Sequence, residues 1–140
     1  MEIKKRLNEF LLTPDNSIVI GSGILNVLGL RQSKDIDLIV TKEKFRELSV
    51  SGQFLEKLNH GRKILVKGLF KIGTSWRVIE KRWLFSDLLL QSEVIKGVRY
   101  NSIKFLFKVK SNWCQKGEAR QKDLRDLKLM KSYLGKQGIN

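Results

Sequence analysis

Cysteine and histidine are almost missing from this chain of 140 residues, with Cys114 and His60 the single representatives of each. A lone cysteine closes no internal disulfide, and one residue of each kind falls short of a protein-only zinc set. A disulfide scaffold and a zinc finger are therefore both excluded. Long apolar runs are lacking too, since none approaches the ~18 residues that a membrane span needs. Met1 to Phe10 alternates charged with apolar residues instead of following a basic patch with an apolar stretch, so no signal peptide is visible. Together these absences predict a soluble protein of the cytoplasm. What is present excludes wholesale disorder: 41% of the residues are hydrophobic, and Leu, Ile, Val and Phe recur throughout. The length suits one domain, residues 1–140, which can bury roughly 68–70% of its unfolded surface.

Acidic residues are also scarce beside basic ones, 14 against 28, which leaves a net charge of +14. The excess is not spread evenly. Residues 1–55 hold 8 basic and 7 acidic groups and residues 84–102 hold 2 of each, whereas residues 56–83 hold 8 against 2 and residues 103–140 hold 10 against 3. An anion is expected at those two basic segments: the phosphates of a nucleotide, an RNA or DNA backbone, or an acidic protein.

Periodicity predicts alternating helices and strands, and so an α/β architecture, better than a bundle or barrel. Ile3, Leu7, Phe10 and Leu11 sit at helical spacing in residues 2–12, ahead of a turn over Thr13 to Asn16. A strand follows at Ser17 to Ile20, then a Gly21–Ser22–Gly23 turn, a buried helix over Ile24 to Leu30, and a strand over Asp35 to Val40. Thr41 is placed to cap a helix ending near Leu48. Residues 49–61 carry no clear pattern. Lys63 to Ile72 alternates, with Ile64, Val66, Phe70 and Ile72 on one face and Leu65 and Lys71 on the other, as one bent strand or two joined near Gly68. Trp83 to Leu90 reads as helix and Val94 to Tyr100 as a hairpin turning at Lys96–Gly97. Ser102 caps a helix to about Trp113. A last helix carries Leu124, Leu127, Met130, Tyr133 and Leu134 as its apolar stripe, with Gly135 at its left-handed C-terminal cap.

Asp35 and Asp37 are the one pair of acids separated by a single residue, and chance alone supplies about one such pair at this acidic content. Their placement distinguishes them. A strand has a period of two, so both carboxylates leave one face while Ile36, Leu38 and Val40 leave the other. Two aligned carboxylates can share a hard cation such as Mg²⁺ or Mn²⁺, which completes its shell with substrate phosphates and water. Upstream, Gly21, Ser22 and Gly23 close a strand and open a helix, so backbone N–H groups, a hydroxyl and a helix dipole converge as a phosphate cradle. Cradle and acids on adjacent strands describe a site for a nucleoside triphosphate (NTP).

The run Gly21, Ser22, Gly23, Ile24, Leu25, Gly29, Leu30, Arg31, Ser33, Lys34, Asp35, Ile36, Asp37, Leu38, Ile39, Val40 resembles the core motif of the DNA polymerase β-like nucleotidyltransferase superfamily, in which a Gly-Ser element precedes an Asp-x-Asp element. Twelve residues separate Ser22 from Asp35, a spacing typical of that family. Arg120, Lys122, Asp123 and Asp126 are similar to the R-x-K-D-x-x-D ending of its small stand-alone prokaryotic members. The resemblance implies a small mixed β-sheet flanked by helices, and transfer of a nucleoside monophosphate (NMP) from an NTP to an acceptor hydroxyl. It implies Gly21, Ser22 and Gly23 on the triphosphate, Arg31 and Lys122 approaching phosphates, and Asp35 and Asp37 as catalytic ligands of Mg²⁺ or Mn²⁺. Lys122 has a second reading as the partner of Asp126 one turn along. The family places a third carboxylate on a later strand. Here the corresponding residue is Lys71, whose charge competes with a metal, and Glu80 is the alternative source of a carboxylate.

Among the remaining residues, His60 reads as a loop histidine and Cys114 as a small buried or half-buried thiol. Trp76, Trp83 and Trp113, flanked by basic residues, serve either the core or base stacking. Two further functional classes are compatible with the sequence. One is a catalytically silent protein of this fold that binds nucleic acid through segments 56–83 and 103–140, or a nucleotide. The other is an antitoxin-like partner of an acidic protein.

Overall fold

A computed structural model describes residues 3–137, so Glu2, at the expected start of the first helix, lies outside the described residues. In chain order the elements are α1 (Ile3–Asn8), β1 (Ser17–Ile20), α2 (Gly23–Val27), β2 (Ile36–Val40), α3 (Lys42–Val50), β3 (Leu55–Asn59), β4 (Arg62–Lys67), β5 (Phe70–Gly73), β6 (Ser75–Val78), β7 (Lys81–Leu84), α4 (Phe85–Leu89), β8 (Ser92–Ile95), β9 (Val98–Asn101), α5 (Ile103–Gln115) and α6 (Gln121–Lys136). Seven strands form one sheet in the order β3-β4-β5-β2-β1-β9-β8, and β6 with β7 forms a separate hairpin. The sheet is mixed: β1 runs antiparallel to β2, while β2 with β5 and β1 with β9 are parallel. This is the small mixed sheet with flanking helices that the sequence predicts.

Both faces of the central strands are covered. On one, Ile36, Leu38, Val40, Val19, Phe70 and Ile72 pack with residues of the N-terminal helices and of α5 and α6, including Ile24, Leu25, Leu106 and Met130. On the other, Ile18 and Ile39 pack with Val78, Leu88, Phe105 and Val109. Asp37 shares this second face, two residues before Ile39 and opposite Ile20.

Local signals act as expected at the caps. Thr41 Oγ1 accepts from the Lys44 N–H at 3.2 Å, and Ser102 Oγ accepts from the Phe105 N–H at 3.1 Å. Lys96 and Gly97, with φ of 52° and 81°, make the turn of the β8–β9 hairpin.

Several expectations are corrected. The first helix ends at Asn8, because Leu11 adopts φ 56° and the Leu12 N–H reaches back to the Leu7 carbonyl at 3.0 Å, which buries Leu12. Of the two readings of Lys63 to Ile72 the structure has the second, two strands joined by a two-residue turn at Gly68 and Leu69, but the expected faces are not kept. That turn pairs Leu65 with Ile72 and Val66 with Lys71, so Leu65 shares the buried face of Ile72 and the single alternating face does not exist. Trp83 and Leu84 are strand, and the helix starts only at Phe85. Gly135 lies inside α6, whose C-cap is Gln137 with φ −83°. Cys114 is exposed.

Candidate functional site

The antiparallel register of β1 and β2 sets Ile20 against Asp37. The chain therefore leaves β1 at Gly21 beside the point where it enters β2 from Asp35. Gly21 takes φ +74°, and at Gly23 a Cβ would collide with Val19 Cγ1 and lie 3.7 Å from the Tyr100 ring. The first glycine supplies a left-handed turn and the second lets the start of α2 press against the sheet. Ser22 is the N-cap of this short helix, yet its side chain caps no backbone group.

Gly21, Ser22, Gly23, Arg31, Asp35, Asp37 and Lys122 all line one cleft of about 520 Å³. Lys34, Lys71, Lys110 and Arg120 line it too, so Asp35 and Asp37 are its two acids among six cations. Lys71 stands directly beside Asp37 on the parallel neighbour β5. Burial pushes the Asp37 carboxyl above its usual range, Lys71 pulls it back, the negative charge of Asp35 adds to the rise and Lys122 opposes it. Asp37 Oδ1 is buried and has no hydrogen-bond partner, whereas Asp35 is exposed.

A second pair of acids sits behind this cleft. Asp123 and Asp126 are three apart on α6, share one helix face, and are each 1% exposed. Lys110 of α5 bridges them, with Nζ 2.6 Å from Asp123 Oδ1 and 3.1 Å from Asp126 Oδ2. Asp126 also accepts two hydrogen bonds from Arg31, at 2.6 Å from Nε and 2.9 Å from Nη2, while Ser22 Oγ lies 3.5 Å from its Oδ2. Asp123 accepts from the Arg120 backbone N–H at 2.9 Å and from its Nε at 3.2 Å. Burial alone would raise both carboxyls. Hydrogen bonds from Arg120 and Lys110 outweigh it at Asp123, which is held well below the usual carboxylate range, and those from Arg31 and Lys110 outweigh it at Asp126, which is lowered too.

The geometry adds to the reading of three residues. Arg31 is bound by Asp126, which makes it a tie between the Gly-Ser turn and α6. Asp126 is taken up by Arg31 and Lys110, and Lys122 forms no ion pair with it among the described residues; Lys122 faces the cleft instead. Glu80 is exposed in the β6–β7 turn, pairs with Lys116, and lines a different cleft, so it supplies no third carboxylate. Sequence reasoning missed Lys110. Its signal was available, because it falls seven residues after Ile103 and four after Leu106 on the buried stripe of α5.

An orphaned buried carboxylate oxygen beside a second carboxylate has the chemistry of a hard-cation site that substrate phosphates complete. Among the described residues no group of three or more His, Cys, Asp or Glu is clustered to hold a metal. The residues therefore fit one ion held by Asp35 and Asp37, not a site enclosed by protein ligands alone.

This topology is that of a nucleotidyltransferase: the chain has the nucleotidyltransferase fold. It is similar to the crystal structure of the aminoglycoside nucleotidyltransferase ANT(2'')-Ia in complex with adenylyl-2''-tobramycin, with TM-score 0.59 and 18% identity over 99% of this chain and 92% of that one. It is similar also to the solution structure of the antibiotic-resistance factor ANT(2'')-Ia, with TM-score 0.58 and 20% identity over 98% and 88% of the two chains. No family model matches the chain, and no curated protein matches it in sequence.

Proposed function

We propose that this protein transfers an NMP from an NTP to an acceptor hydroxyl and releases pyrophosphate, with Asp35 and Asp37 holding a Mg²⁺ or Mn²⁺ ion. The observation that carries this reading is Asp37 Oδ1, a buried carboxylate oxygen without a hydrogen-bond partner. A buried anion left unpartnered is costly, and the cost is offset when a cation arrives with the substrate.

Lys34, Lys71 and Lys122 form no ion pair among the described residues, so their charge is available to a triphosphate. Arg31, Lys110 and Arg120 are engaged by Asp123 and Asp126 and serve to position the cleft walls. The Gly21–Gly23 turn orients the phosphates through backbone N–H groups and the Ser22 hydroxyl. A bound divalent ion would supply Lewis-acid polarisation of the α-phosphate. In the transfer the acceptor oxygen bonds to the α-phosphorus, the bond from that phosphorus to the bridging oxygen breaks, pyrophosphate leaves with the electron pair, and the hydroxyl proton passes to solvent.

A thermal-shift panel of four NTPs, each with and without Mg²⁺ or Mn²⁺, tests the reading, because a ligand that binds only the folded state raises its apparent stability. Metal-dependent stabilisation that vanishes in Asp35→Ala/Asp37→Ala is expected. Undiminished stabilisation in that variant overturns the proposal.

A second reading is a catalytically silent nucleotide binder, and Lys71 favours it: a cation beside Asp37 competes with a metal ion for the same oxygen. Nucleotide binding without pyrophosphate release would select this reading, and Lys71→Asp would then raise metal affinity.

A further inference from the structure

A second cleft of about 610 Å³ opens beside the first, and Trp76 and Trp113 line both. Its walls come from β3, β4, β6, β7 and the end of α5, all within the two segments that carry the excess positive charge, residues 56–83 and 103–140. Arg77 and Arg82 lie directly opposite each other in the β6–β7 hairpin, an arrangement of like charges that destabilises a strand pair. Arg82 donates to Ser75 Oγ at 2.9 Å. Arg62 and Arg77 are exposed and form no ion pair among the described residues, while Lys116 is engaged by Glu80 and Glu118 is the other acid in the cleft. The lining is thus cationic on balance, and an anion bound there offsets the like charges of the cross-strand pair Arg77 and Arg82.

The aromatic walls narrow the class of anion. Trp83 is committed to the core, with Nε1 donating to the Val78 carbonyl at 2.8 Å and its ring 4.9 Å from that of Phe105. Trp76 and Trp113 are half-buried as Trp83 is, and Trp76 also meets Phe105, at 6.1 Å, but these two alone of the three border both clefts. Planar π-faces beside guanidinium groups match a strand of unpaired nucleotides, whose bases stack while its phosphates meet the arginines. An acidic peptide uses the arginines and leaves the tryptophan faces idle.

We infer that this second cleft binds the end of a single-stranded nucleic acid, and that the terminal hydroxyl of that strand is the acceptor. The acceptor role rests on the transfer reading above; the binding role does not. The step is the balanced one already given, with the strand's terminal oxygen forming the new bond to the α-phosphorus and pyrophosphate leaving. A polycationic acceptor such as the tobramycin of the solved neighbour would meet Arg62, Arg77 and Arg82 with like charge.

The test is fluorescence anisotropy with labelled single-stranded RNA and DNA of about ten nucleotides, a span within the range of known single-strand sites. Heparin and polyglutamate serve as anions without bases. The full chain should bind a single strand, lose affinity steeply with salt, and show tryptophan quenching by the strand and not by heparin. Arg62→Glu/Arg77→Glu, both at exposed positions, should weaken binding at least about tenfold while the metal-dependent NTP shift persists. Affinity unchanged in that variant, equal quenching by heparin, or tighter binding of polyglutamate overturns the inference. RNA or DNA binding with no metal-dependent NTP shift overturns the transfer reading alone.

Discussion

Two aspartate pairs in this protein face opposite conditions. Asp35 and Asp37, at the start of β2, look into an open cleft with one oxygen buried and unpartnered. Asp123 and Asp126, on α6, are sealed from water and saturated by Arg31, Lys110 and Arg120. Burial pushes the carboxyls of Asp37, Asp123 and Asp126 upward, and only the two on α6 have partners enough to reverse it. A carboxylate that the fold satisfies holds the fold together. One left unsatisfied next to a cleft is poised for a ligand, and its strain is carried by the rest of the structure.

The largest expected effect comes from the open pair. Asp35→Ala/Asp37→Ala should lower pyrophosphate release about a thousandfold without lowering the unfolding midpoint; a loss of stability would make the two pairs alike. Asp126→Ala should destabilise the protein by about 3 kcal/mol, since removing one member of a buried network strands the others, and urea unfolding measures it. Gly23→Ala should cost about 1–3 kcal/mol, because its Cβ runs into Val19, and should weaken NTP binding as α2 shifts.

The smallest effect sharpens the contrast through pH. The Asp37 carboxyl is raised, so its contribution to stability is full below the ordinary unfolded value of about 3.9 and is lost as pH rises through the folded value. Asp37→Asn should therefore slightly stabilise the neutral protein, with the gain fading in acid. Asp123 and Asp126 are lowered, and their contribution runs the other way, present above about 3.9 and lost as pH falls through their folded values. Melting curves of wild type and Asp37→Asn from acid to neutral pH would show both slopes.

The elements that were legible in the sequence are those whose cause is local. Thr41 and Ser102 announce their helices because a hydroxyl reaches an N–H three residues on, and Lys96–Gly97 announces its hairpin through left-handed turn residues. The fold was legible for a related reason: the Gly-Ser turn, its spacing to Asp35 and the two strands that flank them lie within one short stretch, whereas the order of the seven strands spans the chain. Strand β3 was invisible, since all five of its residues are exposed and leave no alternation to read. β6 was hidden by a core contribution limited to Val78 and a partial one from Trp76. The phase of β4 and β5 failed because a two-residue turn exchanges odd for even positions.

The candidate site divides in the same way. Residues 21–23, 35, 37 and 122 were named from the sequence, and all of them border one cleft. Arg31 lines the cleft as well, but its tie to Asp126 was hidden, since that partner is 95 residues away and no periodicity reports a contact at that distance. The contacts of Lys110 with Asp123 and Asp126 were missed for the same reason, although the place of Lys110 on the buried stripe of α5 was open to periodicity.

The sequence by itself determined the caps at Thr41 and Ser102, the glycine turns after β1 and at Lys96–Gly97, where positive charge accumulates, and that two acids stand one residue apart. These follow from interactions within a few residues, which a linear pattern records. The tertiary structure alone decided which acids find partners, that Lys71 stands beside Asp37, and that the two basic segments meet at one cleft. Each of these depends on strands and helices distant in sequence packing together, and the strength of a charge's interactions is set by what surrounds it in space.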